Sequence, residues 1–326
     1  MSARLIIDPR LSSPRWKAQS RQQLAQGLMQ RPASVPPRYL YDALGSRLFA
    51  AITELPEYYP TRTEASLLSR HGEQIARVLA PVRTLVDLGA GDCKKAARLL
   101  PLLQPQTYIA VDVSQACVAE GTQAIARDFP GIDVAACITD FASGMQWPEG
   151  LRCERPVFFY PGSSIGNFSP DQAGALLGSL SAVARQEQND HARLLIGVDR
   201  VQSVPVMEAA YADALGLTAC FNLNLLRHVN QALDADFDVK RFTHRAVFDK
   251  THSRIEMSLV SKHSQVARWP GGERHFDEGE PIITEHSYKY TIADFEGLLH
   301  ASGFETLQRW TDDHESYLLC AARSVC

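Results

Sequence analysis

Five short apolar runs punctuate the middle of the chain, each followed by enough residues for a helix. They are Thr84–Leu88, Tyr108–Val113, Asp133–Ile138, Pro156–Tyr160 and Leu194–Val198. Runs of this length, rich in Val, Ile and aromatics, read as buried strands. Between them lie helical patterns: Lys94–Leu103, a segment N-capped by Ser114 and running to Asp128, and one starting at Pro170 behind the cap Ser169. Five such repeats over residues 63–201 predict an α/β protein with a doubly wound parallel sheet.

The flanking segments have other periods. Helices are expected over Pro14–Gln30, over Asp42–Thr53 with Leu44, Leu48, Phe49 and Ile52 on one face, and over Thr63–Ala80. Pro56 and Pro60 bracket Glu57, Tyr58 and Tyr59 in a stiff, non-helical stretch that suits either a binding pocket or a packing loop. After residue 201, Val204–Gly216 (carrying Tyr211) and Thr218–Leu233 read as helices. Phe242–Phe248 and Ser253–Ser264 then alternate as antiparallel strands, with Ile255, Met257 and Leu259 on one face. Trp269–Gly279 reads as a charged loop or hairpin turn, and Ile282–Tyr290 as a strand with Glu285 and Ser287 on one side. Thr291 opens a helix, and two final strands form a hairpin around Asp312-Asp313-His314. These shifts predict one domain from 63–201 and 288–326. A smaller α+β domain comes from 1–62 and 202–287, with the ligand crevice between the two.

Composition narrows the partners. Of 326 residues, 45% are hydrophobic and 21% charged, with a net charge of −4, so the basic field that nucleic-acid binding requires is missing. Seven scattered cysteines without CxxC spacing suit reduced thiols. Cys93, beside Lys94 and Lys95, could have a lowered thiol pKa, although filling a small space is the simpler role. Ten histidines show no helix-spaced pair with an acid, so no metal is expected. With neither a signal-peptide core nor a membrane-length apolar run, a soluble, cytoplasmic monomer is expected, without nucleic-acid or membrane partners.

The chemistry gathers at strand ends. Gly89, Ala90 and Gly91 make a tight turn after the first strand, where a ligand approaches the backbone closely. Asp112 tips the second strand, about 20 residues on, where a ribose-binding acid belongs. Asp140 follows the third strand, placed either to face an adenine amino group or to cap a helix. Lys94 stands where a dinucleotide fingerprint needs its third glycine. A glycine-poor turn before an acid-tipped strand favours S-adenosylmethionine, which has no phosphate to cradle, over a nicotinamide cofactor. The fourth strand runs into Gly162, Ser163, Ser164, Gly166 and Asn167, a polar loop placed for a substrate. Asn167 also suits a plain turn.

Beyond these patterns, YDALGSRLFAAITELPEYYPTRTE, LVDLGAGDCKK, PGSSIGNF, ACFN, RIEM and TEHSYKY stand in one order over about residues 30–320. In that order they resemble the histidine-specific Nα-methyltransferases of ergothioneine biosynthesis. The first block is long and specific. The resemblance implies a class I methyltransferase fold, Rossmann-like, closed by a C-terminal antiparallel hairpin. It also implies three methyl transfers from S-adenosylmethionine to the α-amine of L-histidine, giving hercynine. A same-scaffold enzyme for tryptophan or a histidine derivative is the nearest alternative, followed by a nicotinamide oxidoreductase or a non-catalytic sensor.

By the same resemblance, Asn167 and Tyr211 hold the substrate carboxylate, and Tyr41 and Tyr58 lie near the amine and ring. Glu285 and Ser287 read the imidazole, Met257 walls the pocket, and Gly162 leaves room for methyls. Gly89, Ala90, Lys95, Asp112, Asp140 and Phe141 bind the methyl donor, with Gly91 in the same turn. The chain departs from the family pattern at Asp87, where many relatives have Glu, at Asp92-Cys93, and at Tyr288. Period-two geometry turns Tyr288 away from Glu285 and Ser287.

Overall fold

The computed structural model describes residues 3–140, 153–186 and 192–325. Two compact units emerge, one from residues 1–8, 60–201 and 289–326, the other from 9–59 and 202–288. In chain order the strands begin with β1 (Arg4–Ile7), β2 (Ala33–Ser34), β3 (Thr84–Leu88), β4 (Thr107–Asp112) and β5 (Asp133–Ile138). Next come β6 (Pro156–Tyr160), β7 (Arg193–Asp199), β8 (Phe242–Asp249), β9 (Arg254–Ser261) and β10 (Gln265–Trp269). The last are β11 (Gly272–Phe276), β12 (Pro281–Tyr288), β13 (Phe304–Thr311) and β14 (Tyr317–Ser324).

The first unit is built on an eight-stranded sheet in the order β1-β5-β4-β3-β6-β7-β14-β13. β5, β4, β3, β6 and β7 are parallel, and β14 and β13 add an antiparallel hairpin. This is a doubly wound parallel sheet closed by a C-terminal antiparallel hairpin, as the resemblance implies. Its inner strands are covered on both faces, which is why they read as unbroken apolar runs. Leu85, Val86, Leu88, Ile109, Val157 and Phe158 are wholly buried, each such side chain contributing roughly 1.5–3 kcal/mol. The chain winds one way from β3 to β4 and the other way from β6 to β7. The carboxyl ends of β3 and β6 therefore form the switch point where open sheets bind ligands.

Several sequence expectations need correction. β1 pairs in parallel with β5 (Arg4↔Ala135), so residues before 9 join the large sheet and not the smaller unit. Pro56–Tyr58 is non-helical as expected, but Tyr59 and Pro60 already open the next helix. It runs Tyr59–Leu79, because a first-turn Pro60 lacks only an N–H that would go unused there. The Lys94–Leu103 helix is two short ones, Lys94–Ala97 and Leu100–Leu103, because Pro101 has no N–H to bond back toward Ala97. Ser114 makes no side-chain cap; its N–H is taken by Asp112 instead. Helix Val204–Ala209 ends before Tyr211, which sits in the following turn with its N–H on the Glu208 carbonyl.

In the second unit, β2-β12-β9-β8 form a four-stranded sheet, and β10 and β11 make a separate hairpin where a charged loop was one alternative. Leu24, Leu40, Phe221, Leu225, Ile255 and Leu259 belong to its buried core. The YDALGS block has a local reason. Asp42 caps helix Ala43–Ile52 by accepting from the Gly45 N–H at 2.7 Å, and its carboxylate also accepts from Asn224 at 2.8 Å. Gly45 must lack a side chain because a Cβ there would run into the Leu40 carbonyl. Among the described residues no helix is long and apolar enough to cross a membrane.

Candidate active site

In the first unit, Gly89 and Gly91 have φ of 69° and 53°, the left-handed region that favours glycine. The N–H groups of Gly89 and Ala90 both donate to the Val111 carbonyl, tying the turn to β4. Asp112, half-buried at the tip of β4, accepts from Gly91 N and Ser114 N, each at 2.9 Å. Burial raises its pKa while these backbone bonds pull it down. Two bonds hold the carboxylate still and leave lone pairs for a pair of vicinal hydroxyls. Among the described residues, a side chain built onto Gly91 would meet nothing within 4 Å, so the turn leaves room for a ligand beside them. These features fit the ribose of S-adenosylmethionine. Asp140 is buried just after β5; Phe141 lies outside the described residues.

Beneath the turn, Asp87 is buried and accepts from the Tyr108 hydroxyl at 2.8 Å. Burial lifts its pKa to about 7 despite that hydrogen bond. Burial likewise pushes the Cys93 thiol up to about 12, so the neighbouring lysines do not activate it, and it fills space.

Sequence reasoning missed Glu64. Wholly buried on helix Tyr59–Leu79, it accepts from Gly162 N at 2.8 Å and the Tyr317 hydroxyl at 2.7 Å. Its other oxygen meets Lys95 Nζ at 2.7 Å. Two glycines make room for this node. A Cβ at Gly197 would collide with the Glu64 carboxylate and the Tyr317 hydroxyl, and one at Gly162 would lie 2.9 Å from Lys95 Nζ. The space at Gly162 is therefore taken up by Lys95. One signal was available: Glu64 is a charge on the same helical stripe as the buried Leu67, Leu68 and Ile75. Asn167, half-buried, ends the short helical turn Ser164–Asn167 that follows Gly162.

Of the residues assigned to the substrate, Gly162 and Asn167 lie in the first unit, and Tyr41, Tyr58, Tyr211, Met257, Glu285 and Ser287 in the second. Tyr58 and Tyr211 meet edge to face at 6.2 Å, Phe49 contacts Tyr58 at 6.0 Å, and Tyr41 packs against Phe49 and Phe221. On β12, Glu285 and Ser287 are buried, and the Ser287 hydroxyl lies 2.8 Å from that of Tyr211. Met257 on β9 stands opposite Glu285 in the ladder. The intervening His286 faces the other way, within hydrogen-bond distance of Glu256 at 3.2 Å. Tyr288 shares that other side, accepting from Arg254 at 2.8 Å, as the alternation requires. The structure thus sets phenols, a hydroxyl and a carboxylate together among apolar walls. That set suits a small molecule with an aromatic ring and several hydrogen-bonding groups.

A family model described as histidine-specific methyltransferase, SAM-dependent, matches residues 20–324. A histidine N-alpha-methyltransferase of Mycobacterium tuberculosis is 35% identical over 308 residues, 93% of this chain and 94% of that protein. Its counterpart in Mycolicibacterium smegmatis is also 35% identical, over 90% of this chain and 91% of its own. Ergothioneine biosynthesis protein 1 of Neurospora crassa is 28% identical, the match spanning 90% of this chain and 33% of that longer protein.

Proposed function

The chain belongs to the SAM-dependent histidine-specific methyltransferases, and on that premise we propose that it trimethylates the α-amine of L-histidine to give hercynine, a step toward ergothioneine. The observation that carries this reading is the buried pair on β12: Glu285 and Ser287 side by side, with Ser287 bonded to Tyr211. A carboxylate accepts an imidazole N–H, whereas the carbon edge of an indole offers it no donor.

Counting protons extends the assignment. The Tyr211 hydroxyl has one to give. Donated to the substrate carboxylate, with Asn167 as a second neutral donor, it leaves Tyr211 free to accept from Ser287. Ser287 then accepts one ring N–H and Glu285 the other, so the pocket favours a ring carrying both. Tyr41 and Tyr58 flank the amine, with Met257 as apolar wall and Gly162 in the loop beside them in role. Gly89, Ala90, Gly91, Asp112, Asp140 and Phe141 hold the methyl donor, with Asp112 on its ribose hydroxyls and Lys95 fixed by Glu64.

When bound, S-adenosylmethionine supplies a methyl group on a sulfonium, which leaves as a neutral thioether and needs no acid. The protein's task is alignment of a neutral amine with that methyl, and positioning of this kind accounts for much of the acceleration in bimolecular reactions. An ammonium has no lone pair, so a proton must depart before each transfer. The Tyr58 hydroxyl is the group that orders its exit. Incubating the purified protein with S-adenosylmethionine and each of the twenty amino acids, with mass detection, tests the reading. Three added methyls on histidine alone are expected, and an unmodified histidine would overturn it.

A further inference from the structure

Tyr211 has a supporting chain of side chains that the reaction itself does not use. It lies in the turn beyond helix Val204–Ala209, its N–H bonded to the Glu208 carbonyl. The anchor comes from β8: His244 Nε2 is 2.8 Å from the Tyr211 carbonyl oxygen. On the far side of the ring, Nδ1 is 2.9 Å from Asn222 Nδ2. Asn222, wholly buried on helix Leu217–Leu233, also donates from Nδ2 to the Ser258 carbonyl at 3.2 Å. Asn222 is the last residue of the ACFN block.

The direction of every bond follows without sight of a hydrogen. The Ser258 carbonyl only accepts, so it turns the amide nitrogen of Asn222 inward. That nitrogen then donates to Nδ1, which must be unprotonated. The ring proton therefore sits on Nε2 and donates to the Tyr211 carbonyl, itself only an acceptor. Burial favours this neutral ring, against the opposing pull of the Tyr211 carbonyl and of nearby Asp213. Asp213 is occupied by the N–H groups of Leu217 and Thr218. Because β8, β9 and β12 are neighbours in one sheet, a tie from β8 to Tyr211 sets its hydroxyl against Ser287 of β12.

We propose that Asn222 and His244 are positioning residues for substrate recognition: His244, held as the Nε2–H tautomer by Asn222, pins the Tyr211 backbone so that Tyr211 and Ser287 are paired before histidine arrives. The proposal rests on the reading of Tyr211 and Ser287 as histidine-binding groups. Asn222→Leu keeps the volume and removes both donors, and His244→Ala removes the tie itself.

Steady-state kinetics on the full chain would compare both variants with Tyr211→Phe. In each, the histidine KM is expected to rise about tenfold or more, the equivalent of one lost buried hydrogen bond, with the S-adenosylmethionine KM within about twofold of wild type. An unchanged histidine KM in Tyr211→Phe would overturn the underlying reading. A raised KM there, with normal values in the other two, would overturn the relay alone. Imidazole 15N NMR of the wild-type protein gives an answer even if a variant fails to fold. A protonated Nε2 and bare Nδ1 on His244 are expected, and the opposite tautomer would rule the proposal out.

Discussion

Glu64 meets Lys95 at 2.7 Å with the carboxylate side chain wholly buried and the lysine about one-third exposed, 34%. The pair is lopsided. Lys95 can turn toward water, whereas Glu64 also accepts from Gly162 and Tyr317 and cannot leave. It is thus the fixed member, joining a helix, the loop after β6 and the C-terminal strand β14.

Glu64→Gln keeps the shape and removes the charge. Because Lys95 can seek solvent, the cost should fall below that of a fully buried pair, at about 1–3 kcal/mol. Urea unfolding of the variant beside wild type measures it. No shift of the midpoint would mean that the node has no structural weight.

Asp87 predicts a pH signature. Its folded pKa of about 7 stands above the ordinary 3.8 of an aspartate, so the native state keeps a proton that the unfolded chain sheds. The stability this proton gives is complete below about pH 4 and is lost as pH rises through 7. Asp87→Asn retains an acceptor for Tyr108 and removes the titration. Variant stability relative to wild type should therefore grow between pH 4 and 7, by an amount on the order of 4 kcal/mol. A constant difference across that range would contradict the assignment.

Lys289 and Asp199 form an ion pair at 2.5 Å with almost no exposure on either side, 0% and 1%. Lys289→Ala removes the cation paired with a buried carboxylate and should cost roughly 3–5 kcal/mol in thermal or urea unfolding. Replacing both partners, by Lys289→Met with Asp199→Leu, should recover most of the loss. A double variant no better than the single one would show that Asp199 is needed for another reason.

Glu285→Gln tests ring recognition. The amide is a weaker acceptor than the carboxylate, so the histidine KM should rise about 10- to 100-fold, the range for one hydrogen bond to a charged group. The S-adenosylmethionine KM should stay level. Equal changes in both would point to general disruption of the fold.

The inner sheet was legible because parallel strands are apolar on both faces: Asp133–Ile138 and Pro156–Tyr160 begin and end where the apolar runs do. The Glu285 and Ser287 alignment followed from two-residue alternation alone. What stayed hidden depends on partners distant along the chain. Glu64 finds Gly162 98 residues away and Tyr317 253 away, and no local period reports such contacts. β1 is only four residues long and mostly exposed, so its pairing with β5 left no mark in the pattern. Tyr59 and Pro60 were misread because proline stops a helix from within yet is welcome at its beginning.

The edge position of β1 bears on how the protein is made. Arg4–Ile7 takes one margin of the large sheet, while β13 takes the other and β14 closes the flank of β7. A ribosome releases Arg4 early but must translate as far as Ser324 before β7 gains its antiparallel neighbour. The smaller unit has received all its segments once Tyr288 has emerged. Nascent chains therefore wait with the β7 ladder open, an interval in which an unpaired strand invites the wrong partner. Chaperone demand during expression should be concentrated there.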